Sequence, residues 1–173
     1  MKPMSRSARG NISRVLAVLC GAVLLAADRL TKLYIMDNFT LGETRAFLKG
    51  FIDLTYIHNR GGAWGMLSGK TYILLPFTAV VMALCVWLYI KYGKKSPLLL
   101  WAVSLVLSGG LGNMLDRAFR GGNVVDFLHF EFFPSFPVFN VADIAIVTGA
   151  GLLILYFLLD GLKEKRESGN DKA

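Results

Sequence analysis

Leu98-Leu99-Leu100-Trp101-Ala102-Val103-Ser104-Leu105-Val106-Leu107-Ser108-Gly109-Gly110-Leu111-Gly112-Asn113-Met114-Leu115-Asp116-Arg117 is the stretch whose reading decides the fold. From Leu98 to Leu115 it carries no charge, and a helix of about 20 such residues crosses the hydrocarbon core of a bilayer. Three more segments have the same character, approximately Ile12 to Met36, Thr71 to Tyr92 and Val138 to Asp160. None shows the period-2 alternation of a barrel strand, so each has to satisfy its backbone as a helix. Composition agrees. The chain of 173 residues is 54% hydrophobic and only 18% charged, with a mean hydropathy of +0.51. A soluble domain of this size carries nearer a quarter charged residues. Cys20 and Cys85 lie inside apolar runs, which excludes a disulfide scaffold and a cysteine-based metal cluster.

Charge placement orients the spans. Lys2, Arg6, Arg9 and Arg14 precede the first, Lys91, Lys94 and Lys95 join the second to the third, and Lys163, Lys165, Arg166 and Lys172 follow the fourth. These eleven of the nineteen basic residues fall on one side with four acids, Asp160, Glu164, Glu167 and Asp171. That side therefore holds the whole net charge of +7. Lys and Arg beside spans favour the cytoplasm, so both termini are expected there, with connections 37–70 and 116–137 outside. The pI of 9.6 is thus explained without nucleic acid. A cleaved signal peptide ending at Ala26-Ala27 competes for the first segment, but apolar character resumes at Leu33-Tyr34-Ile35-Met36 and the run exceeds a usual h-region. Residues 163–173 read as a polar, mobile cytoplasmic tail, and residues 1–162 as one membrane domain.

The outer connections are more than linkers. Phe51-Ile52-Asp53-Leu54-Thr55-Tyr56-Ile57 and Val124 to Phe133 read as strands, each beside a turn-forming cluster, Asn59-Arg60-Gly61-Gly62 and Arg120-Gly121-Gly122-Asn123. Open edges cannot face lipid, so the strands are expected to pair into a small sheet on the outer surface. Trp64, Phe127, Phe130, Phe132, Phe133 and Phe136 are then available to touch lipid, as an aromatic belt or toward a lipid-bearing ligand.

Charges in or beside spans cost about 2.5 to 3.5 kcal/mol each on insertion scales and need a partner or a task. Asp28 and Lys32 are four apart, consistent with an ion pair that lets the helix end sit among headgroups. Asn113, Asp116 and Arg117 share one face of the third helix, where Asp116 and Arg117 could compensate each other. Gly109, Gly110 and Gly112 make a small-residue strip for close helix approach. Asp143 follows Asn140 by three, a capping-box spacing. Asp126 has no local explanation short of a partner such as Arg117 or Arg120. Two carboxylates at one membrane surface are what aspartic proteolysis needs: one ionised to take a proton from water, one protonated to donate toward the oxyanion and the leaving amine. No Ser-His-Asp spacing and no H-E-x-x-H motif competes, since His58 and His129 are far apart. A proton-coupled transporter would want its carboxylates deeper in the spans. A packing scaffold would use the polar residues for stability alone.

Five motifs in order, Asp28-Arg29-Leu30-Thr31-Lys32, Asn59-Arg60-Gly61-Gly62-Ala63-Trp64, Gly109 to Arg117, Val124-Val125-Asp126-Phe127 and Phe139-Asn140-Val141-Ala142-Asp143, resemble those of lipoprotein signal peptidase, the bacterial signal peptidase II. The resemblance spans all four helices and both outer loops. It implies an all-α membrane protein, a four-helix transmembrane bundle with an outer β-cradle, in the bacterial inner membrane. The implied activity is an intramembrane aspartic endopeptidase that cuts prolipoproteins just before a diacylglyceryl-cysteine. By resemblance the catalytic pair is Asp126 and Asp143, supported by Asp28, Lys32, Asn59, Gly61, Asn113, Asp116, Arg117, Asn140 and Ala142. It also implies inhibition by globomycin, contact with membrane lipids, a monomer, and neither metal nor organic cofactor. The second motif, with Gly62-Ala63-Trp64 after Gly61, departs from the family's usual Asn-x-Gly-Ala-Ala-Phe at Gly62 and Trp64. Asp143, near a positive helix terminus, is expected to ionise more readily, leaving Asp126 to carry the proton.

Overall fold

The computed structural model describes residues 6–62, 69–93 and 96–170; Ala63 and Trp64 lie outside them. The element order is α1 (Arg6–Asn38), β1 (Thr44–Leu48), β2 (Ile52–Asn59), α2 (Thr71–Tyr92), α3 (Pro97–Phe119), β3 (Val124–Phe130) and α4 (Val141–Asn170). All four helices are long and apolar enough to cross a membrane, over Gly10–Asn38, Thr71–Tyr92, Pro97–Phe119 and Val141–Lys163. The chain is a multi-pass membrane protein with a small antiparallel sheet. α4 continues as helix through residues 163–170, which the sequence suggested to be a mobile tail.

α3 is the central helix. It packs on α1, α2 and α4, most extensively on α4, and its buried face runs from Leu99 to Arg117. The small-residue strip explains how. A Cβ at Gly112 would stand 2.6 Å from an Asp28 carboxylate oxygen and 3.3 Å from the Ala142 Cβ, so glycine there lets α1 and α4 meet across α3. On the outside of the bundle, Tyr72, Phe77, Val80, Leu84 and Ile90 of α2 and Val15, Leu19, Val23 and Leu30 of α1 are exposed, as residues solvated by lipid tails should be.

The sheet has the order β1-β2-β3, antiparallel throughout. The two strands read from sequence pair as expected, and β1, an exposed strand, adds an edge that the sequence did not announce. One face packs on the outer end of α1, where Tyr56, Val125 and Phe127 join Ile35 and Phe39 in a single apolar cluster. Phe127 is therefore core, 4% exposed, and not a lipid-facing aromatic. Phe132 and Phe133 are exposed as expected.

Two details of the chain path position the site. After α3, Gly122 takes φ +87°, a conformation that favours glycine, and reverses the backbone into β3. Before α4, Phe139 forms a β-bridge with Leu128. Its carbonyl accepts the Phe127 and Leu128 N–H groups at 3.0 and 2.8 Å, and its N–H donates to Leu128 O at 2.9 Å. The fourth helix consequently starts at Val141 rather than near Val138, because Phe139 spends its backbone groups on β3.

Candidate active site

Asn140 is the N-cap of α4, and the capping box is complete. The Asp143 N–H donates to Asn140 Oδ1 at 2.9 Å, while the Asn140 N–H donates to Asp143 Oδ2 at 3.1 Å. Because the Phe139 bridge holds this turn against β3, the same Asn140 reaches Asp126: its Nδ2 donates to Asp126 Oδ1 at 2.6 Å. One residue thus touches both carboxylates.

The second donor to Asp126 depends on a bulge. β2 pairs Leu54 with Leu128 but Ile57 with Asp126, so β2 carries one residue more than β3 between these pairs. The side-chain period of a strand is two, and one inserted residue exchanges its faces. Without the bulge His58 would take the place of Asn59 across from Val124. With it, Asn59 lies diagonal to Asp126 and donates Nδ2 to Asp126 Oδ2 at 2.8 Å. Gly61 orients it, its N–H donating to Asn59 Oδ1 at 2.9 Å. His58 turns instead to the Tyr56 hydroxyl, 2.9 Å away.

Asn113 serves Asp143, donating Nδ2 to its Oδ1 at 2.8 Å. Behind Asn113 stands a buried ion cluster. Lys32, 0% exposed, donates to Asn113 Oδ1 at 2.9 Å and pairs with Asp28 at 2.9 Å and Asp116 at 3.2 Å. Asp28 also accepts the Ala142 N–H at 2.9 Å, which satisfies an orphan donor in the first turn of α4 from another helix. Asp116 accepts the Val125 N–H at 3.2 Å and pairs with Arg29 at 3.0 Å and Arg120 at 2.8 Å.

These contacts correct three sequence expectations. Asp28 and Lys32 do pair, but at 1% and 0% exposure they face α3 and not headgroups. Asp116 is compensated by Lys32, Arg29 and Arg120 instead of Arg117, since neighbours in sequence do not face each other on a helix. Asp126, for which Arg117 or Arg120 was the expected partner, is held by two amides. Arg117 points elsewhere: 9% exposed, it lines a cavity of ≈ 270 Å3 with Asn59, Asn113, Asp126 and Asp143. Val124, Phe136, Pro137, Phe139, Ile146 and Val147 form the apolar wall. Val124, Phe136 and Phe139 drew attention in the sequence as strand, aromatic or motif residues; Pro137, Ile146 and Val147 did not, because they look like ordinary span and loop residues. Val147 is exposed on α4, within the Val141–Lys163 stretch that is long and apolar enough to cross a membrane.

Inside it, burial and then the neighbouring Asp143 charge push the Asp126 carboxyl up to about 7, against the pull of its Asn59 and Asn140 hydrogen bonds. Two carboxylates sharing such a cavity can supply a proton acceptor and a proton donor together.

Comparison with known proteins gives the family. The family described as signal peptidase (SPase) II matches residues 20–159. The chain belongs to the signal peptidase II family. It is a membrane protease of that class. A lipoprotein signal peptidase of Clostridium acetobutylicum is 41% identical over 154 residues, covering 88% of this chain and 97% of that protein. One of Enterococcus faecalis is 40% identical over 151 residues, covering 86% and 92%. A solved bacterial membrane enzyme superposes with a TM-score of 0.79 at 32% identity, covering 84% of this chain and 89% of that one.

Proposed function

We propose that the protein is an aspartic signal peptidase II that removes the signal peptide of diacylglyceryl-modified prolipoproteins, cutting just before the lipid-bearing cysteine. The observation that carries this reading is the convergence of Asp126 and Asp143 on one cavity that is polar at its floor, apolar at its wall and edged by the exposed Val147 of α4. A substrate with a transmembrane signal segment and acyl chains has to present its scissile bond to such a groove from within the membrane.

In this mechanism Asp143 is the ionised member. It accepts hydrogen bonds on both oxygens and sits in the first turn of α4, where the helix dipole favours an anion. It takes a proton from water as the water attacks the scissile carbonyl. Asp126, whose carboxyl stays protonated up to about pH 7, donates its proton to the carbonyl oxygen as the water adds; when the tetrahedral diol collapses, Asp126 takes a hydroxyl proton back and Asp143 passes the water's proton to the leaving amine of the cysteine. Arg117 lies in the same cavity and contributes positive charge beside the developing oxyanion.

The enzyme works as a monomer in the bacterial inner membrane without a metal or organic cofactor. Both termini face the cytoplasm, the cavity faces the outer leaflet, and globomycin competes with substrate for it. The test is incubation of purified protein in detergent with a diacylglyceryl-modified prolipoprotein and its unmodified form, with products read by mass spectrometry. Cleavage of the modified form alone, at the bond before the cysteine, is expected. Equal cleavage of both forms, or a cut elsewhere, contradicts the assignment.

A further inference from the structure

We infer that Lys32 is a positioning residue: its buried ammonium fixes which end of the Asn113 amide faces Asp143. The inference rests on reading Asp126 and Asp143 as the catalytic pair. The two ends of an asparagine amide have nearly the same shape and differ in hydrogen-bonding sense, so partners decide the orientation. At Asn113 both groups facing Oδ1 can only donate, Lys32 Nζ at 2.9 Å and Asn140 Nδ2 at 3.1 Å. Turning the amide over would set its NH2 against an ammonium and another NH2 while aiming a carbonyl at the Asp143 carboxylate. Nδ2 therefore donates to Asp143 Oδ1.

The other two amides are locked in the same manner. Asn140 Oδ1 accepts the Asp143 N–H and Asn59 Oδ1 accepts the Gly61 N–H, so each is left to present Nδ2 to Asp126. Backbone donors do this for Asn140 and Asn59, but Asn113 lies in the middle of a helix whose N–H groups are already committed. A side chain has to supply its lock. Lysine suits the task because it has three donors and no acceptor, and cannot reverse its own sense. Burying an ammonium is costly, and an ion pair seldom beats apolar packing for stability. Here Asp28 and Asp116 match the charge, and Arg29 and Arg120 balance Asp116 in turn.

The charged groups around Asp143 are Asp126 of β3, Arg117 of α3, and Lys32 and Asp28 of α1. Loss of the lock lets Asn113 offer Asp143 an acceptor, which favours a protonated carboxyl. The acid limb of the kcat/KM profile, where the water-activating carboxylate must ionise, then moves to higher pH.

The experiment is the pH profile of kcat/KM for four proteins besides wild type, with thermal unfolding alongside: Asn113→Leu, Lys32→Met with Asp28→Asn, the three changes together, and Lys32→Arg. Asn113→Leu leaves the ion cluster intact and is expected to lower kcat about 100-fold, with the acid limb raised by about one pH unit. The Lys32/Asp28 pair, which removes both charges together, is expected to reproduce the limb shift, and the triple change to add nothing to it. Lys32→Arg keeps the limb at the wild-type position. A wild-type limb in Asn113→Leu overturns the inference whatever the lysine variants do. So do losses that multiply in the triple variant, or a Lys32/Asp28 variant that slows at all pH values alike. If the pair variant fails to fold, Lys32→Gln carries the same expectation. Wild-type turnover by Asp126→Asn or Asp143→Asn would instead remove the catalytic pair itself.

Discussion

Asp126 shows how a single carboxyl acquires a role from its surroundings. Its burial and the adjacent Asp143 hold the proton on up to about pH 7, whereas an unfolded chain gives it up near the ordinary aspartate value of about 4. The protonated form is the catalytic acid, so kcat/KM is expected to fall tenfold per pH unit above about 7, measured in detergent with lipid-modified substrate. The same shift links to stability with a definite sign. The raised carboxyl contributes in full below about pH 4, and its contribution drains away as pH climbs to about 7. The sequence made Asp126 conspicuous, a charge in an apolar strand. Its partners were invisible there, because Asn59 is 67 residues away and reaches it only through the sheet.

At the scale of elements, the β2 bulge and the glycine strip decide what the site contains. Asn59→His places opposite Val124 the side chain that an unbulged β2 would present there. Cleavage is expected to drop by at least 100-fold while circular dichroism keeps its wild-type helix content; unchanged activity would show that the Asn59 amide is not needed at Asp126. Gly112→Val forces a branched side chain onto Asp28 and Ala142, an overpacking that costs about 1 to 3 kcal/mol, and thermal unfolding should report it. The helices and two of the strands were legible because span length, strand composition and turn clusters are local properties. β1 was not: Thr44–Leu48 is short and exposed along its length, so no burial pattern marks it. The start of α4 was misplaced for a related reason. Val138 and Phe139 are apolar enough for a span, and the pairing of Phe139 with β3 delays the start of the helix.

Across the whole molecule, one charge asymmetry and one polar cluster divide the labour. The excess of basic residues at one end sets direction, and the buried carboxylates, amides and cations gather at the other. Single cysteines placed at Leu41 and at Lys172, in a background without Cys20 and Cys85, test the direction in intact cells. The first should react with a membrane-impermeant maleimide and the second only after permeabilisation; the reverse pattern would invert the topology. The outer cluster was legible as a set of residue types but not as a network. Asp116 facing Lys32 and Arg29, and Arg117 turned into the cavity, are outcomes of elements meeting and leave no trace in spacing; the Asp116–Arg120 pair, at i and i+4, is the part that spacing carries. The central claim is that Asp126 and Asp143 together activate water. The most direct test is single-turnover cleavage of a diacylglyceryl-modified prolipoprotein by wild type, Asp126→Asn and Asp143→Asn, each shown to be folded by thermal unfolding. Loss of at least 1,000-fold in both variants is expected, and substantial cleavage by either folded variant would contradict it.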